Sequence, residues 1–406
     1  MGGQLPVRFA VDQHEPWTVA PRAGDDASPA VEDEDVARPI RVLMVLDSFN
    51  FGGAENLIAE LGRYKPAGLQ VSVASLAPAT QDRNALLDRL TEAGLDPQFL
   101  SVNKLLDPAG FRRLVQTLRR SDVDVVHAHL GYSAALVPLA AKLADKPSVA
   151  TLHLSPQRNL SRGEFLKERL YVRIPARFGR LVLVSQHAFD QYAKVHGPAR
   201  DTWRMIPNGV DLARYTVRTG PRSSDKPVWA MVAALRPDKN HVDLIRAWKQ
   251  VVAVHPDATL LIIGDGPSRA DIEKLVAETG LGQSIELLGR REDVPDLLRT
   301  VDGVVSSSVD EALPTALIEA GASGLPVVAT DAGGTREIAV DGVTGRLVPL
   351  RDVPALAAAL LDTIGNPELA AAYGAAGRAQ AEEKYSMPRW VERLELLYKE
   401  VIGDRA

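Results

Sequence analysis

The chain has 406 residues, 46% of them hydrophobic and 24% charged, so it is long enough for two domains that each bury a core. It contains no cysteine, which excludes disulfides, thiolate metal ligands, iron–sulfur clusters and a cysteine nucleophile. The formal net charge of -5 argues against a dedicated nucleic-acid binder. With no apolar run of about 18 residues and no recognisable signal peptide, we expect a cytoplasmic protein without a membrane-spanning helix.

The N-terminal segment carries the whole net charge. Residues 1–38 contain three arginines against eight acidic residues, and large apolar side chains are few there. Such a segment buries too little apolar surface to offset the entropy lost on ordering. We therefore predict that residues 1–38 form a mostly disordered acidic arm.

From residue 39 onward, short apolar segments alternate with amphipathic ones. This alternation predicts an α/β fold in which helices cover both faces of parallel sheets. The predicted strands are 40–46, 71–76, 123–127, 149–152, 181–185, 228–233, 259–263, 285–288, 303–306, 326–329 and 345–348. The predicted helices are 54–61, 84–93, 108–120, 134–144, 163–177, 187–195, 241–254, 269–278, 294–298, 314–322, 335–338, 353–364 and 387–402.

A composition change divides the pattern into two halves. Residues 216–227 are rich in Gly, Pro, Ser, Arg and Lys, which is typical of a linker. We predict a doubly wound N-terminal domain at 39–215, a second one at 228–386, and a C-terminal helix within 387–406 that crosses back. Ligands of such sheets bind beyond the carboxyl ends of the strands, so the two domains should face each other across a cleft.

Two glycines, Gly52 and Gly53, follow the first predicted strand and open a helix. Glycine lets a ligand approach the backbone, and a helix N-terminus favours an anion. A plain tight turn explains the pair equally well. The spacing is not that of a dinucleotide fingerprint, which argues against a nicotinamide or flavin enzyme.

Two glutamates, Glu311 and Glu319, stand eight residues apart around Pro314, which suits a first helical turn. Glu311 should lie on the loop before the helix and Glu319 inside it. Carboxylates accept hydrogen bonds from hydroxyls, so sugar or ribose groups are plausible partners. An ordinary helix with surface acids is the simpler interpretation.

Two cations, Arg236 and Lys239, follow the first strand of the second half. Cations at this place would suit a diphosphate leaving group, although a solvated basic loop is the simpler explanation.

His127 and His129 lie on one face of a strand end. They are candidates for substrate contact or for satisfied buried histidines, and no Cys or carboxylate at suitable spacing completes a metal site.

Residues 157–180 are strongly basic, with seven Lys or Arg against two Glu and with apolar residues interleaved. A basic amphipathic helix can bind an anionic membrane or an acidic ligand. A solvated helix packed on the core is the alternative.

Together these features resemble the retaining GT-B glycosyltransferases of family GT4 over roughly residues 40–390. The resemblance rests on the order and intervals of several short motifs. These are Gly52-Gly-Ala-Glu55, His127-Ala-His129, Pro207-Asn-Gly-Val-Asp211, Lys239, Gly264-Asp-Gly-Pro267, the Glu311 and Glu319 pair, Gly324–Gly334 and Asp341–Pro349.

The resemblance implies a nucleotide sugar bound mainly by the second domain. Glu319 would bind ribose, Glu311 would lie near the transferred sugar, and Lys239 would neutralise the diphosphate. His129 would touch the sugar. The resemblance further implies donor contacts at Gly52, Gly53, Asn208, Gly264, Gly266 and the amides of Leu313, Thr315 and Ala316. It implies no metal and no other cofactor.

One departure concerns the start of the second domain. The family usually has Gly-Arg-Leu there, whereas this chain has Ala233-Ala234-Leu235. We therefore add Arg236, two residues later, as a candidate that replaces the missing arginine. A lesser departure is Ala312, where glycine is common.

The sequence thus predicts a metal-independent, retaining hexosyltransferase with a hydroxyl acceptor that is a glycan, a lipid-linked molecule or a small molecule. Peripheral contact with the membrane is expected through residues 157–180. A sugar-nucleotide epimerase of the same fold and a non-catalytic nucleotide-sugar-binding protein are the alternatives.

Overall fold

The computed structural model describes residues 38–404, except residues 51, 65, 80–83, 103–104, 158–159 and 221–225. The predicted acidic arm up to residue 37 and part of the predicted linker lie outside the described residues.

The first sheet is built from parallel strands β1 Ile40–Leu46, β2 Leu69–Ser75, β3 Pro97–Phe99, β4 Val125–His129, β5 Ser148–Leu152, β6 Arg180–Leu183 and β7 Trp203–Met205. The connecting helices are α1 Gly53–Tyr64, α2 Leu87–Glu92, α3 Pro108–Arg120, α4 Gly131–Leu143, α5 Arg162–Phe178 and α6 Gln186–His196. Side chains of β1 point alternately into two cores, Leu43 and Val45 into one, Val42 and Met44 into the other. Both faces of the sheet are therefore buried, as the apolar strands predict.

The second sheet is built from parallel strands β8 Val228–Val232, β9 Thr259–Ile263, β10 Ile285–Gly289, β11 Gly303–Ser306, β12 Val327–Thr330 and β13 Gly345–Val348. Its helices are α7 His241–Val254, α8 Arg269–Thr279, α9 Val294–Leu298, α10 Thr315–Ala322 and α11 Val353–Gly365. Two 3-10 turns, Pro237–Lys239 and Gly333–Glu337, follow β8 and β12.

Both sheets reverse their strand order at one point. The first runs β3-β2-β1-β4-β5-β6-β7 and the second β10-β9-β8-β11-β12-β13. The reversal falls between β1 and β4 in the first sheet and between β8 and β11 in the second. Open parallel sheets bind ligands at such switch points, beyond the carboxyl ends of the strands. The loops after these four strands are therefore where a site is expected.

The end of the chain returns to the first domain. Helix α12, Pro367–Lys384, packs on α10, and the two backbones approach closely at Gly321 and Gly377. Helix α13, Met387–Gly403, then buries Trp390, Leu394, Leu397 and Val401 in the core beside β1. The last helix thus ties the two domains together.

The structure confirms the predicted α/β fold with two doubly wound sheets, and it corrects several elements. Strands β3 and β7 were not predicted, because three residues are too few for a readable pattern. Helix α12 was also missed, because it is rich in alanine and its buried face consists of Tyr373, Gly374, Gly377 and Ala381, without an apolar stripe. Residues 333–337 form a 3-10 turn where a helix was predicted at 335–338.

No helix in the described part of the chain is both long and apolar enough to cross a membrane.

Candidate active site

The carboxyl ends of the two sheets meet. Ser185, directly after β6, donates a hydrogen bond of 2.6 Å to the carbonyl of Ala312 in the loop after β11. Arg214, on the connection between the domains, forms an ion pair with Glu60 of α1. The loops beyond β6 and β11 are therefore in direct contact, and α1 is bonded to the connection between the domains.

Glu311 and Lys239 form an ion pair at the carboxyl end of the second sheet. Glu311 lies in the loop after β11, and Lys239 ends the 3-10 turn after β8. The Lys239 Nζ atom lies 2.6 Å from Glu311 Oε1, and Ser308 Oγ donates to the same oxygen at 2.8 Å. Both side chains are largely buried, with exposed fractions of 14% and 15%. The fold thus fixes a charged pair at the switch point of the second sheet.

Arg236 lies at the edge of this pair. Its guanidinium forms a two-pronged bond with the Asp238 carboxylate, at 3.0 and 2.7 Å, and nearly half of its side chain is exposed. The hydrogen bond to Asp238 raises the pKa of Arg236, and the charge of Glu311 adds to the effect. Arg236 is therefore close enough to Glu311 for the two charges to interact, but its guanidinium is bonded to Asp238.

The N-terminus of α10 is open. Its N-cap, Pro314, offers no side-chain acceptor. Within the described residues, the amides of Leu313, Thr315 and Ala316 have no hydrogen-bond acceptor. Unpaired amides at a helix start attract an anion, and here they lie one loop away from the Lys239–Glu311 pair.

Glu319 lies one turn further into α10. Burial raises the pKa of Glu319 to about 7, and nearby Glu60 adds to the rise. The hydroxyl of Tyr215 donates a hydrogen bond to the carboxylate, and this bond and Arg214 partly oppose the rise. Glu319 is thus a partly buried residue whose carboxylate accepts a hydrogen bond from a tyrosine hydroxyl.

Gly264 and Gly266 have a packing reason for being glycine. A Cβ atom on Gly264 would lie 2.0 Å from the carbonyl oxygen of Ala233, and one on Gly266 would lie 2.5 Å from that of Leu235. Both therefore support the loop after β8, which carries Arg236 and Lys239. Their predicted donor contacts remain a prediction.

Three histidines cluster at the end of the first sheet. His127 is satisfied on both sides, by Tyr398 Oη at 2.6 Å and Thr151 Oγ1 at 2.7 Å. His129 Nδ1 lies 3.0 Å from His153 Nε2, whereas its Nε2 is buried and has no partner in the described structure. The two predicted histidines therefore differ, because only His129 keeps a buried ring nitrogen without a hydrogen-bond partner.

Burial keeps this cluster neutral. It lowers the pKa of His127 to about 3 and that of His153 to about 4, and it lowers the pKa of His129 well below its ordinary value. Asn208, which is also buried, hydrogen-bonds to His153, and this bond opposes the lowering of the His153 pKa. The predicted donor residue Asn208 thus lies behind the histidines. His153 itself was missed, although its place directly after β5 was a usable signal.

Gly52 and Gly53 lie at the start of α1, as predicted. A Cβ atom on Gly53 would meet no other part of the described structure within 4 Å, whereas the Glu55 carboxylate lies directly against Gly52. Burial raises the pKa of Glu55 to about 7, and the charge of Asp47 adds to the rise. Asp47 accepts hydrogen bonds from the first three amides of α4, at residues 131–133. Sequence reasoning gave neither acid a role.

Among the residues that the structure describes, no group of three or more His, Asp or Glu side chains is arranged to hold a metal ion.

The second sheet thus presents a largely buried ammonium–carboxylate pair beside bare helix amides, and the first sheet presents neutral histidines at its carboxyl end. Such a site suits a ligand that is both anionic and rich in hydroxyls.

Comparison with known proteins gives the class. The model described as Glycosyltransferase Family 4 matches residues 51–214, and the model described as Glycosyl transferases group 1 matches residues 217–380. A phosphatidyl-myo-inositol mannosyltransferase of Mycolicibacterium smegmatis is 30% identical over 353 residues, which cover 84% of this chain and 87% of that protein.

Two further similarities agree. A GDP-mannose-dependent monoacylated alpha-(1-6)-phosphatidylinositol monomannoside mannosyltransferase of Corynebacterium glutamicum is 34% identical over 233 residues, 53% of this chain and 60% of that protein. The crystal structure of Anabaena HepE in complex with UDP matches with a TM-score of 0.77 and 21% identity, over 89% of this chain and 100% of that one. This likeness shows the GT-B fold.

The chain belongs to glycosyltransferase family 4. Its activity is glycosyl transfer from a nucleotide sugar, which decides against the epimerase and the non-catalytic binding protein.

Proposed function

We propose that the protein transfers a hexose from a nucleoside-diphosphate sugar to a hydroxyl acceptor, with retention of the anomeric configuration and without a metal ion. The Lys239–Glu311 pair beside the bare N-terminus of α10 is the observation that carries this proposal. The ammonium and the helix amides suit a diphosphate, and the carboxylate suits the hydroxyls of a sugar.

The donor lies along the second domain in this proposal. The amides of Leu313, Thr315 and Ala316 hold the diphosphate. The ammonium group of Lys239, which also pairs with Glu311, attracts the diphosphate electrostatically. Glu319 accepts hydrogen bonds from the ribose hydroxyls. Gly53, which leaves open space at the start of α1, lets the first domain approach the diphosphate from the other side. Positive charge from the protein then takes the place that a metal ion has in other transferases.

The transfer step takes place between Glu311 and His129. Glu311 accepts a hydrogen bond from the sugar, and the free Nε2 of His129 contacts a sugar hydroxyl. The bond between the anomeric carbon and the diphosphate breaks as the acceptor oxygen attacks the same face. The leaving phosphate oxygen takes the proton of the acceptor hydroxyl, so configuration is retained.

The acceptor is lipid-linked in this proposal. Two relatives are named for mannosyl transfer to phosphatidylinositol or its monomannoside. Helix α5 offers the matching surface, because Phe165 and Leu166 are 38% and 58% exposed. Its two acids are engaged elsewhere: Glu164 caps the helix with Ser161, and Glu168 is buried against His196.

The exposed face of α5 is therefore both apolar and cationic. Its exposed cations are Arg162, Lys167, Arg173 and Arg177. Basic and apolar side chains on one face bind an anionic bilayer through charge and shallow insertion. We propose that α5 attaches the enzyme peripherally to the cytoplasmic face of the membrane.

Donor screening followed by product analysis tests the transfer. GDP-mannose, UDP-glucose, UDP-galactose and UDP-N-acetylglucosamine are compared by thermal shift, and the stabilising donor is incubated with vesicles that contain phosphatidylinositol. We expect release of the nucleoside diphosphate and an α-linked product by NMR. A β-linked product would overturn retention. Metal independence is tested separately, and we expect full activity after dialysis against EDTA. Loss of activity in EDTA that returns with a divalent cation would overturn metal independence.

Vesicle sedimentation tests the membrane surface. We expect binding to vesicles with phosphatidylglycerol at low salt, weaker binding at high salt, and no binding to pure phosphatidylcholine. The L166S variant should bind less. The matched control is L396S, since Leu396 on α13 is 54% exposed. Equal binding of both variants and the wild type would leave α5 as a solvated helix.

A further inference from the structure

A hydroxyl group of the first domain, that of Ser185, contacts the Glu311 loop, which is the loop after β11 in the second domain. Ser185 is the N-cap of α6 and accepts a hydrogen bond from the amide of Ala188 at 3.0 Å. The same hydroxyl donates to the carbonyl of Ala312 at 2.6 Å. Both residues are buried, and Ala312 follows Glu311 directly. The start of α6 is thus bonded to the residue beside the charged pair.

A carboxylate of the second domain, that of Glu337, bonds to the backbone of the first domain. Glu337 ends the 3-10 turn after β12 in the second domain. Its oxygens accept from the amides of Gln186 at 3.1 Å and His187 at 2.8 Å, which are the first two residues of α6. A helix start has unpaired amides and favours negative charge. The second domain therefore supplies the acid that satisfies a helix of the first.

The Glu311 loop lies between these two contacts. The amide of Gly334 donates to the carbonyl of Glu311 at 2.8 Å. A Cβ atom on Gly334 would lie 1.9 Å from the carbonyl oxygen of Ala312, so the turn that ends at Glu337 presses against the loop. The backbone of residues 311 and 312 is thus held by Gly334 on one side and by Ser185 on the other.

We propose that Ser185 and Glu337 form an interdomain latch that positions the Glu311 loop for sugar transfer. The loop takes its reactive arrangement when the two domains are in contact, because one of its backbone anchors, Ser185, belongs to the first domain. The turn that carries the other anchor, Gly334, is bonded to the first domain through Glu337. Ser185 and Glu337 are positioning residues, since they act through the loop and touch no reacting atom. The inference rests on the proposed role of Glu311 beside the transferred sugar.

Three variants and one control test the latch. E337A removes both acceptors of the α6 amides, and E337Q keeps one acceptor oxygen. S185A removes the bond to Ala312 together with the cap of the Ala188 amide. The control is D331N, because Asp331 lies in the same segment but pairs with Arg336 on the surface. Hydrogen–deuterium exchange of the peptide around residues 185–190 reports the contact, and kcat and donor KM report its effect on transfer.

We expect faster exchange at residues 186 and 187 in E337A, a smaller increase in E337Q, and no increase in D331N. A small displacement of a catalytic group costs up to about a hundredfold in rate, so kcat should fall by roughly tenfold or more in E337A and S185A. Donor KM should stay within about threefold, because the α10 amides and Glu319 are untouched. E337Q should recover part of the kcat of E337A.

Several outcomes would overturn the inference. Unchanged exchange in E337A would show that the contact does not form in solution. Faster exchange with wild-type kcat would remove the positioning role. If E337A does not fold, S185A decides the question alone, and wild-type kcat in S185A overturns the latch. If the wild type transfers no sugar although exchange responds to E337A, the proposed function fails and only the interdomain contact remains.

Discussion

The two switch points share one topology but differ in charge. At the second sheet, Lys239 and Glu311 form a charged pair beside bare helix amides. At the first sheet, burial holds His129 and His153 neutral and raises the pKa of Glu55 to about 7. The same strand order therefore supports two environments, one suited to an anion and one suited to neutral hydroxyls.

This difference has a physical cause in the loops. Three consecutive buried serines, Ser306, Ser307 and Ser308, end β11 and begin the loop after it, and Ser308 donates a hydrogen bond to Glu311. The histidines instead pack against one another and against Tyr398 of α13. The second domain is therefore suited to bind the diphosphate, and the first is suited to contact the sugar and the acceptor.

The strongest test of the charged side is K239A. Removing the ammonium takes away the cation that meets the leaving diphosphate and leaves Glu311 with one partner fewer. One such contact is worth about 3–4 kcal/mol in the transition state, so kcat should fall by about a hundredfold to a thousandfold. The control is K226A, because Lys226 pairs with Asp257 at the surface. If K239A turns over like K226A, the leaving group does not depend on Lys239.

Arg236 sharpens the same side. If Arg236 takes the role of the arginine that the family has at the position of Ala234, R236A should lower kcat by about a hundredfold with an unchanged fold. R236K should rescue only part, since lysine lacks the bidentate fork. Arg291 offers a matched control, because it forms the same fork with an aspartate two residues on and is similarly exposed. R291A should behave as the wild type, and equal rates for R236A would show that Lys239 suffices.

The histidines test the neutral side. H129N keeps a polar group near Nδ1 for His153 and removes Nε2, so kcat should fall by about tenfold, the value of one hydrogen bond. H127A leaves Tyr398 and Thr151 unpaired in the core, so it should lower Tm by about 4 °C or more. Steady-state kinetics and thermal melts of both variants check this. If H127A lowers kcat and spares Tm while H129N does the reverse, their assigned roles are exchanged.

Much of the site followed from the sequence because parallel sheets place it at strand ends. Gly53, His129, Lys239 and Glu311 all follow or end β1, β4, β8 or β11, and a short apolar run is enough to locate such a strand. The strand pattern therefore placed these residues at the carboxyl ends of the two sheets before any side-chain position was known.

The contacts among these residues could not be read in the same way. The Lys239–Glu311 bond joins residues 72 positions apart, and the Glu337 bond to Gln186 joins residues 151 positions apart. Each depends on the path of an irregular loop, which has no periodicity. The sequence also contained no sign that both ring nitrogens of His127 are bonded while Nε2 of His129 has no partner, because one of the His127 partners is Tyr398 on the returning helix α13.

Titration of Glu319 gives the smallest expected effect, which is a change of stability and donor affinity with pH. Its folded-state pKa of about 7 lies above the ordinary value of 4.5. The folded protein therefore keeps a proton that the unfolded chain releases, and the contribution of Glu319 to stability falls as pH rises from about 4.5 to about 7. E319Q should remove this fall and melt at a higher temperature than the wild type at pH 8.

Donor affinity should change in the opposite direction. Ionised Glu319 accepts a stronger hydrogen bond from ribose than neutral Glu319 does, by about 1 kcal/mol, so wild-type affinity should rise roughly fivefold from pH 6 to pH 8. E319Q should match the wild type near pH 6 and fall behind it at pH 8. Calorimetry with the donor selected by thermal shift measures both, with E55Q as the control, because the pKa of Glu55 is also raised to about 7. If E55Q abolishes the pH dependence and E319Q preserves it, the titrating group is on the first domain and Glu319 does not bind the ribose as a carboxylate.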